Sequence, residues 1–220
     1  MAKPLLVIGN KRHSSWSLRG WLPLRHWGVD FEERRLPLDT PEFAREIVQY
    51  APTRRVPVLI DGDVTIWDSL AICEYANERW FEGKGWPAAR AARAFARTVC
   101  AEMHTGFAAL RNSMPMDSRA SGVPLPVDAA TRADVARMRA LIADCRSRFG
   151  ASGPWLFGEF SIADCYFAPV VVRFKGYGVP VEGAVAAWVE AMWALPALVE
   201  WVAAGRVERE TVPIDVLSVP

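Results

Sequence analysis

Histidine and cysteine are scarce in this sequence, and neither is clustered. Three histidines and four cysteines are spread over 220 residues. Cys73, Cys100, Cys145 and Cys165 form no CxxC pair and no cysteine–histidine group with zinc-ligand spacing, so no metal is expected. Charge of one sign is missing too. Twenty-six basic and 25 acidic residues are interspersed and nearly cancel, to +1; that balance argues against a nucleic-acid-binding surface. No apolar run is long enough to span a membrane. The run in "MAKPLLVIGN" is too short for a secretory signal. The expectation is a reduced, cytoplasmic protein with no nucleic-acid or membrane partner.

What the chain does hold is apolar material: 51% of its residues are hydrophobic, enough for a sizeable core in one large domain or two small ones. The first 80 residues mix two periods. "PLLVIG" reads as a short buried strand and Ser15–Trp27 as a helix. A second strand starts at Phe31. Thr40 and Pro41 mark an N-cap and first helical residue. "VPVLI" and "GDVTIW" flank a "DG" hairpin signal, and Asp68–Arg79 is helical with an apolar face. The order β-α-β-α-β-β-α predicts a small mixed sheet with helices packed on it.

"FEGKGWP", residues 81–87, is glycine-rich and ends in proline, which makes it the candidate linker. After it the pattern is helical throughout: 88 to about 112, 127–149, a buried helix in "SIADCYFAPVVVRF", then 182–193 and 196–204, followed by a tail. The predicted organisation is an α/β domain over 1–80 and an all-helical domain over 88–220.

Three short stretches carry candidate chemistry. "RHSSWSLRGW" puts Ser14 and Ser15 at the start of a helix, where a hydroxyl is either a simple cap or the working end of a site. Asp68 and Ser69 open another helix. Both suit an N-terminus, and a free hydroxyl with backbone N–H groups there can also hold a carboxylate, while the acid holds an ammonium. Pro57 stands at the mouth of a strand, where a cis Val56–Pro57 bond would expose the polar backbone of Val56; an ordinary trans proline at a sheet edge is the commoner arrangement. Ser161 and Asp164 fit a capping box and are assigned to folding. His13 reads as an exposed loop residue.

In this order and spacing, these features resemble the glutathione transferases, over most of the chain. "SSWSLR" looks like the "SSCSWR" motif of the zeta-type branch, with Trp16 in place of cysteine. "RRVPVLIDGDVTIWDSLAICEYANER" is similar to the superfamily's stretch from its cis-proline through its γ-glutamyl-binding pair. "FSIADCYFAPVV" resembles the helical-domain motif of a serine cap and a following aspartate.

The resemblance implies an N-terminal thioredoxin-like βαβαββα domain and a C-terminal helical bundle, with glutathione as co-substrate, a small electrophile as second substrate, and a homodimer. It implies that Ser14, five residues before Arg19, donates a hydrogen bond to the glutathione sulfur, with Ser15 and Trp16 beside it. Val56 would pair its backbone with the cysteinyl unit like an added strand, after Pro57. Asp68 and Ser69 would hold the γ-glutamyl end. Arg55, with Arg54 as its rival, would reach the glycyl carboxylate. Trp16, Met103, His104, Phe107 and Arg111 would line the second-substrate site. Two other readings stand beside the transferase: a glutathione-dependent isomerase of the maleylacetoacetate type, which Trp16 disfavours, and a binding module without turnover, which the retained serine and acid–serine pair disfavour. No GxSxG turn suggests a serine hydrolase.

Overall fold

The computed structural model describes residues 3–125 and 128–210; the predicted tail beyond 210 lies outside the described residues. Four strands make one sheet: β1 Leu5–Ile8, β2 Glu32–Arg35, β3 Val58–Asp61 and β4 Val64–Ile66, in the order β2-β1-β3-β4. β1 runs parallel to β2, with Leu5 opposite Glu32, because helix α1 (Ser15–His26) carries the chain across. β3 is antiparallel to both β1 and β4. Gly62, at φ 61°, turns the tight β3–β4 hairpin. Helix α2 (Pro41–Glu46) starts on the Thr40 cap and passes into a 3₁₀ turn, Ile47–Gln49. Helix α3 (Ser69–Arg79) starts on Asp68.

Alternation along β1 sends its residues into two cores. Val7 packs with Leu36, Ile47, Ala51 and Val58 on the α2 side. Leu6 and Ile8 face the other way, into a larger core that joins α1 and α3 to the helical half. That half comprises α4 Arg90–Thr105, α5 Ala108–Ser113, α6 Ala129–Phe149, α7 Ile162–Gly176, α8 Gly183–Trp193 and α9 Pro196–Val207. Among the described residues it holds no strand, only isolated bridges at Trp155–Gly158 and Phe157–Glu159.

Helix α1 is central to this architecture: it packs on α3, α7 and α9 and reaches the sheet through Trp21 Nε1, which donates to Glu33 of β2 at 2.7 Å. It contains Pro23, which has no N–H to give to the carbonyl of Arg19 one turn earlier. The buried Cys73 thiol of α3 donates to that carbonyl instead, at 3.5 Å.

The single helix predicted over 88–112 is corrected to two. Gly106 adopts an extended conformation and Phe107 sits in the left-handed region at φ 65°, so the chain breaks between α4 and α5. Arg111 folds back across the break. Its Nε donates to Gly106 O at 3.1 Å and its Nη2 to Met103 O, satisfying carbonyls that a helix end leaves open.

Candidate active site

The N-terminus of α1 is held from several directions. Asn10 O accepts the amides of His13 and Ser14. Glu208, just past α9, accepts the Lys11 and Arg12 amides at 2.9 and 3.0 Å. Arg12 makes a two-pronged pair with Asp117 at 2.9 and 2.7 Å. Gly205 of α9 lets the chain pass closely: a Cβ there would lie 2.9 Å from the Arg12 amide. The loop before α1 is thus clamped by the helical half.

Ser14 caps α1. Its Oγ accepts the Ser17 amide at 3.3 Å and donates to Ser17 Oγ at 2.7 Å. Ser17 is fully buried and also accepts the Gly9 amide at 3.0 Å. Ser14 and Ser15 are both nearly buried, at 7% exposure. His13 is corrected from exposed to buried. Its Nδ1 faces Met116 O at 3.3 Å, so that nitrogen carries the proton. Burial holds its pKa below the usual imidazole range.

Three predicted positions, Trp16, His104 and Arg111, meet around one ring, together with Arg19. Trp16 lies edge-on to His104, with centroids 5.1 Å apart. The Arg19 and Arg111 guanidiniums lie over Trp16 at 4.7 and 4.6 Å. His104 in turn reaches Asp68, Nε2 to Oδ2 at 3.3 Å, and Tyr166 OH at 2.6 Å through Nδ1. Tyr166 OH lies 3.1 Å from the buried Ser69 Oγ. Asp68, a half-exposed residue, caps α3 through the Leu70 amide at 2.9 Å. Tyr166 therefore ties the acid–serine pair of the sheet domain to the helical domain. Burial raises its phenol pKa well above the ordinary value, so it stays a neutral hydroxyl.

The remaining predicted positions are placed differently. The Val56–Pro57 peptide is cis, with Val56 partly buried and Pro57 packed toward Gly20. Arg54 and Arg55 are exposed, and neither contacts the Trp16 cluster. Met103 is fully buried and Phe107 nearly so, both within the main core, which corrects their expected place in a substrate site; Trp16, His104 and Arg111 are partly exposed.

The cluster is unusually positive for its burial. Arg19 is fully buried, donating to Tyr166 O at 2.9 Å and Ser15 O at 3.3 Å. Its Nη2 is buried without a partner. Burial and the nearby Arg111 both push its pKa down. Helix α1 has no acid in its first turn. Among the described residues, no group of three or more His, Cys, Asp or Glu side chains could hold a metal.

Comparison with known proteins identifies the family. The model described as "Glutathione S-transferase, N-terminal domain" matches residues 13–79, and the corresponding C-terminal domain model matches 128–204. The chain belongs to the glutathione S-transferase superfamily. A solved glutathione transferase homolog from Burkholderia GL BGR1, with bound glutathione, is 26% identical; the alignment covers 94% of this chain and all of that one, with a TM-score of 0.70. A stringent starvation protein A homolog of Haemophilus ducreyi is 23% identical over 83% of this chain and 80% of its own length. A dichloromethane dehalogenase of Methylorubrum extorquens is 42% identical over 59 residues, 26% of this chain and only 20% of that protein.

Within this superfamily scaffold, two contributors escape sequence reasoning. Ser17 looks like an ordinary helix residue, and only its position one turn inside the Ser14 cap hints at a hydroxyl pair. Tyr166 sits in an otherwise apolar buried helix. A phenol there needs a partner for its O–H, and that need was the available signal. No single helix among the described residues is long and apolar enough to cross a membrane.

Proposed function

We propose that the chain is a glutathione transferase that stabilises the glutathione thiolate at the N-terminus of α1 for attack on a small electrophile. The observation that carries the reading is the Ser14 hydroxyl at a helix start that has cations nearby and no acid in its first turn. A free thiol has a pKa of ~8.5 and the thiolate is the nucleophile. Lowering the pKa by about two units takes roughly 2.7 kcal/mol. One charge-assisted hydrogen bond together with a helix N-terminus is of that size. Ser14 acts as a donor. Its proton turns from Ser17 Oγ to the sulfur, and Ser17, 2.7 Å away, can then donate to Ser14 in its place. The thiol proton leaves to water, so no general base is needed.

In this reading residues 1–80 bind glutathione, 81–87 link, and 88–220 close the second-substrate side. Ser15 and Trp16 flank the sulfur. Val56, before the cis Pro57, pairs with the cysteinyl backbone; Asp68 and Ser69 hold the γ-glutamyl group, steadied by His104 and Tyr166; Arg55 or Arg54 reaches the glycyl carboxylate. The electrophile lies against Trp16, His104 and Arg111. The Burkholderia homolog with bound glutathione supports the ligand, and the short match to a dichloromethane dehalogenase suits a small electrophile. A cytoplasmic homodimer completes the reading.

A second reading is a transferase-fold binding module without turnover. The near full-length similarity to a protein named for stringent starvation favours it. Titration of glutathione, followed by thiolate ultraviolet absorbance, separates the two. The transferase reading expects the bound thiol to titrate about two units below ~8.5, and Ser14→Ala to return it upward by about one to two units. Binding with an unshifted thiol in both proteins supports the module; no binding removes the glutathione reading altogether.

A further inference from the structure

Arg111 occupies a position that neither capping nor thiolate chemistry uses up. Two of its three guanidinium nitrogens are fixed on Gly106 O and Met103 O at the end of α4. The third, Nη1, makes no hydrogen bond among the described residues, and Arg111 as a whole is only partly buried. The group lies 4.6 Å from the Trp16 ring, and both side chains are partly exposed.

No carboxylate among the described residues pairs with it. Asp134, an acid close enough to act on its charge, is committed to the Leu110 amide at 3.0 Å. Asp68 faces His104. The other charged neighbours, Arg19 and Arg173, are like-charged and buried. Arg173 is likewise held by carbonyls, those of Met114 and Pro169. Three guanidiniums, two of them buried and Arg111 partly so, therefore have carbonyl oxygens as their acceptors among the described residues, and Arg19 Nη2 lacks even that. Buried or half-buried cations are ordinarily paired. A cation that is already fixed and only partly hydrated loses little freedom when it binds a carboxylate.

We propose that the second substrate of this enzyme carries an anionic group, a carboxylate in the simplest case, which seats on Arg111 Nη1 against the face of Trp16. The proposal rests on the glutathione reading above and adds the charge of the electrophile to it. Arg111 is then a specificity-determining residue, and the thiolate belongs to Ser14.

The test uses two stable conjugates that differ only at the electrophile end: S-(carboxymethyl)glutathione and S-(carbamoylmethyl)glutathione. Calorimetry on the full chain measures their affinities beside that of glutathione. The expected result is a preference of about tenfold for the carboxymethyl conjugate, the size of one charge-assisted hydrogen bond, weakening as salt is raised. Arg111→Gln abolishes the preference, read as the ratio of the two conjugate affinities within one protein. Arg111→Lys, which keeps the charge without the fork, retains part of it.

Equal affinity of the wild-type protein for the two conjugates overturns the proposal, even if Arg111→Gln fails to fold. A preference that survives in Arg111→Gln overturns the assignment to this residue. An equal weakening of all three ligands in Arg111→Gln, with the ratio between the conjugates kept, also overturns the assignment. If none of the three ligands binds, the glutathione reading falls as well, an outcome distinct from equal binding.

Discussion

Helices α1 and α7 begin with the same local device and put it to opposite uses. Each has a serine cap bonded to the side chain three residues on: Ser14 Oγ to Ser17 Oγ at 2.7 Å, and Ser161 Oγ to Asp164 Oδ2 at 3.1 Å. At α7 the anion is built in. Asp164 is fully buried and also accepts the Leu156 amide, the Ser161 amide and Trp188 Nε1, each at 2.9 Å. At α1 the third residue is a hydroxyl and the first turn has no acid; Arg19 and Arg111 lie over Trp16, while Glu208 and Asp117 are engaged by the loop before the helix. One helix start is electrically complete. The other has no acid in its first turn, and this separates a folding cap from a candidate site more clearly than the cap sequence does.

The comparison breaks first at α7. Asp164→Ala leaves four buried donors without their acceptor, at ~1–3 kcal/mol for each that no water or neighbouring group satisfies. We expect a loss of ~3–5 kcal/mol in urea unfolding, and a loss below about 1 kcal/mol would mean that the carboxylate is dispensable. The same residue gives a pH signature. Burial outweighs its four donors and pushes Asp164 up to about 6 from 3.8. Between those values the folded state holds more protons than the unfolded one, so this contribution is full below pH ~4 and is lost as pH rises through about 6. The change is about 3 kcal/mol at 1.36 per unit. Asp164→Asn should flatten that segment of the stability profile. A profile identical to wild type would assign the slope elsewhere.

The smallest effect belongs to α1. Ser17→Ala strands the Gly9 amide and frees Ser14, and should cost ~1–2 kcal/mol. A loss as large as that of Asp164→Ala would contradict the view that the α1 start is the less self-sufficient of the two.

Sequence pattern reaches the elements whose causes are local. Thr40–Pro41, Asp68 and Ser161–Asp164 announce their helices because a cap and its acceptors lie within one turn. β3 and β4 follow from the "DG" between apolar runs. What pattern misses depends on distant residues. His13 is buried because Met116 lies over it, and Tyr166 finds His104 and Ser69 across 62 and 97 positions. The break after α4 is hidden because one glycine within a helical pattern is ordinarily tolerated. Here Arg111 supplies the carbonyl partners that make stopping cheap. Met103 and Phe107 share a helical period with His104, and period alone does not say which face is wet.

Arg111 thus has two employers. It closes the end of α4 and, by our proposal, chooses the electrophile. Anyone redesigning substrate choice at this position would also be editing a helix terminus. A neutral replacement risks fraying the segment that presents His104, so a change meant to alter selectivity would register as a change in heat tolerance. The practical order is to secure the α4–α5 junction by other means first, and only then to alter the charge.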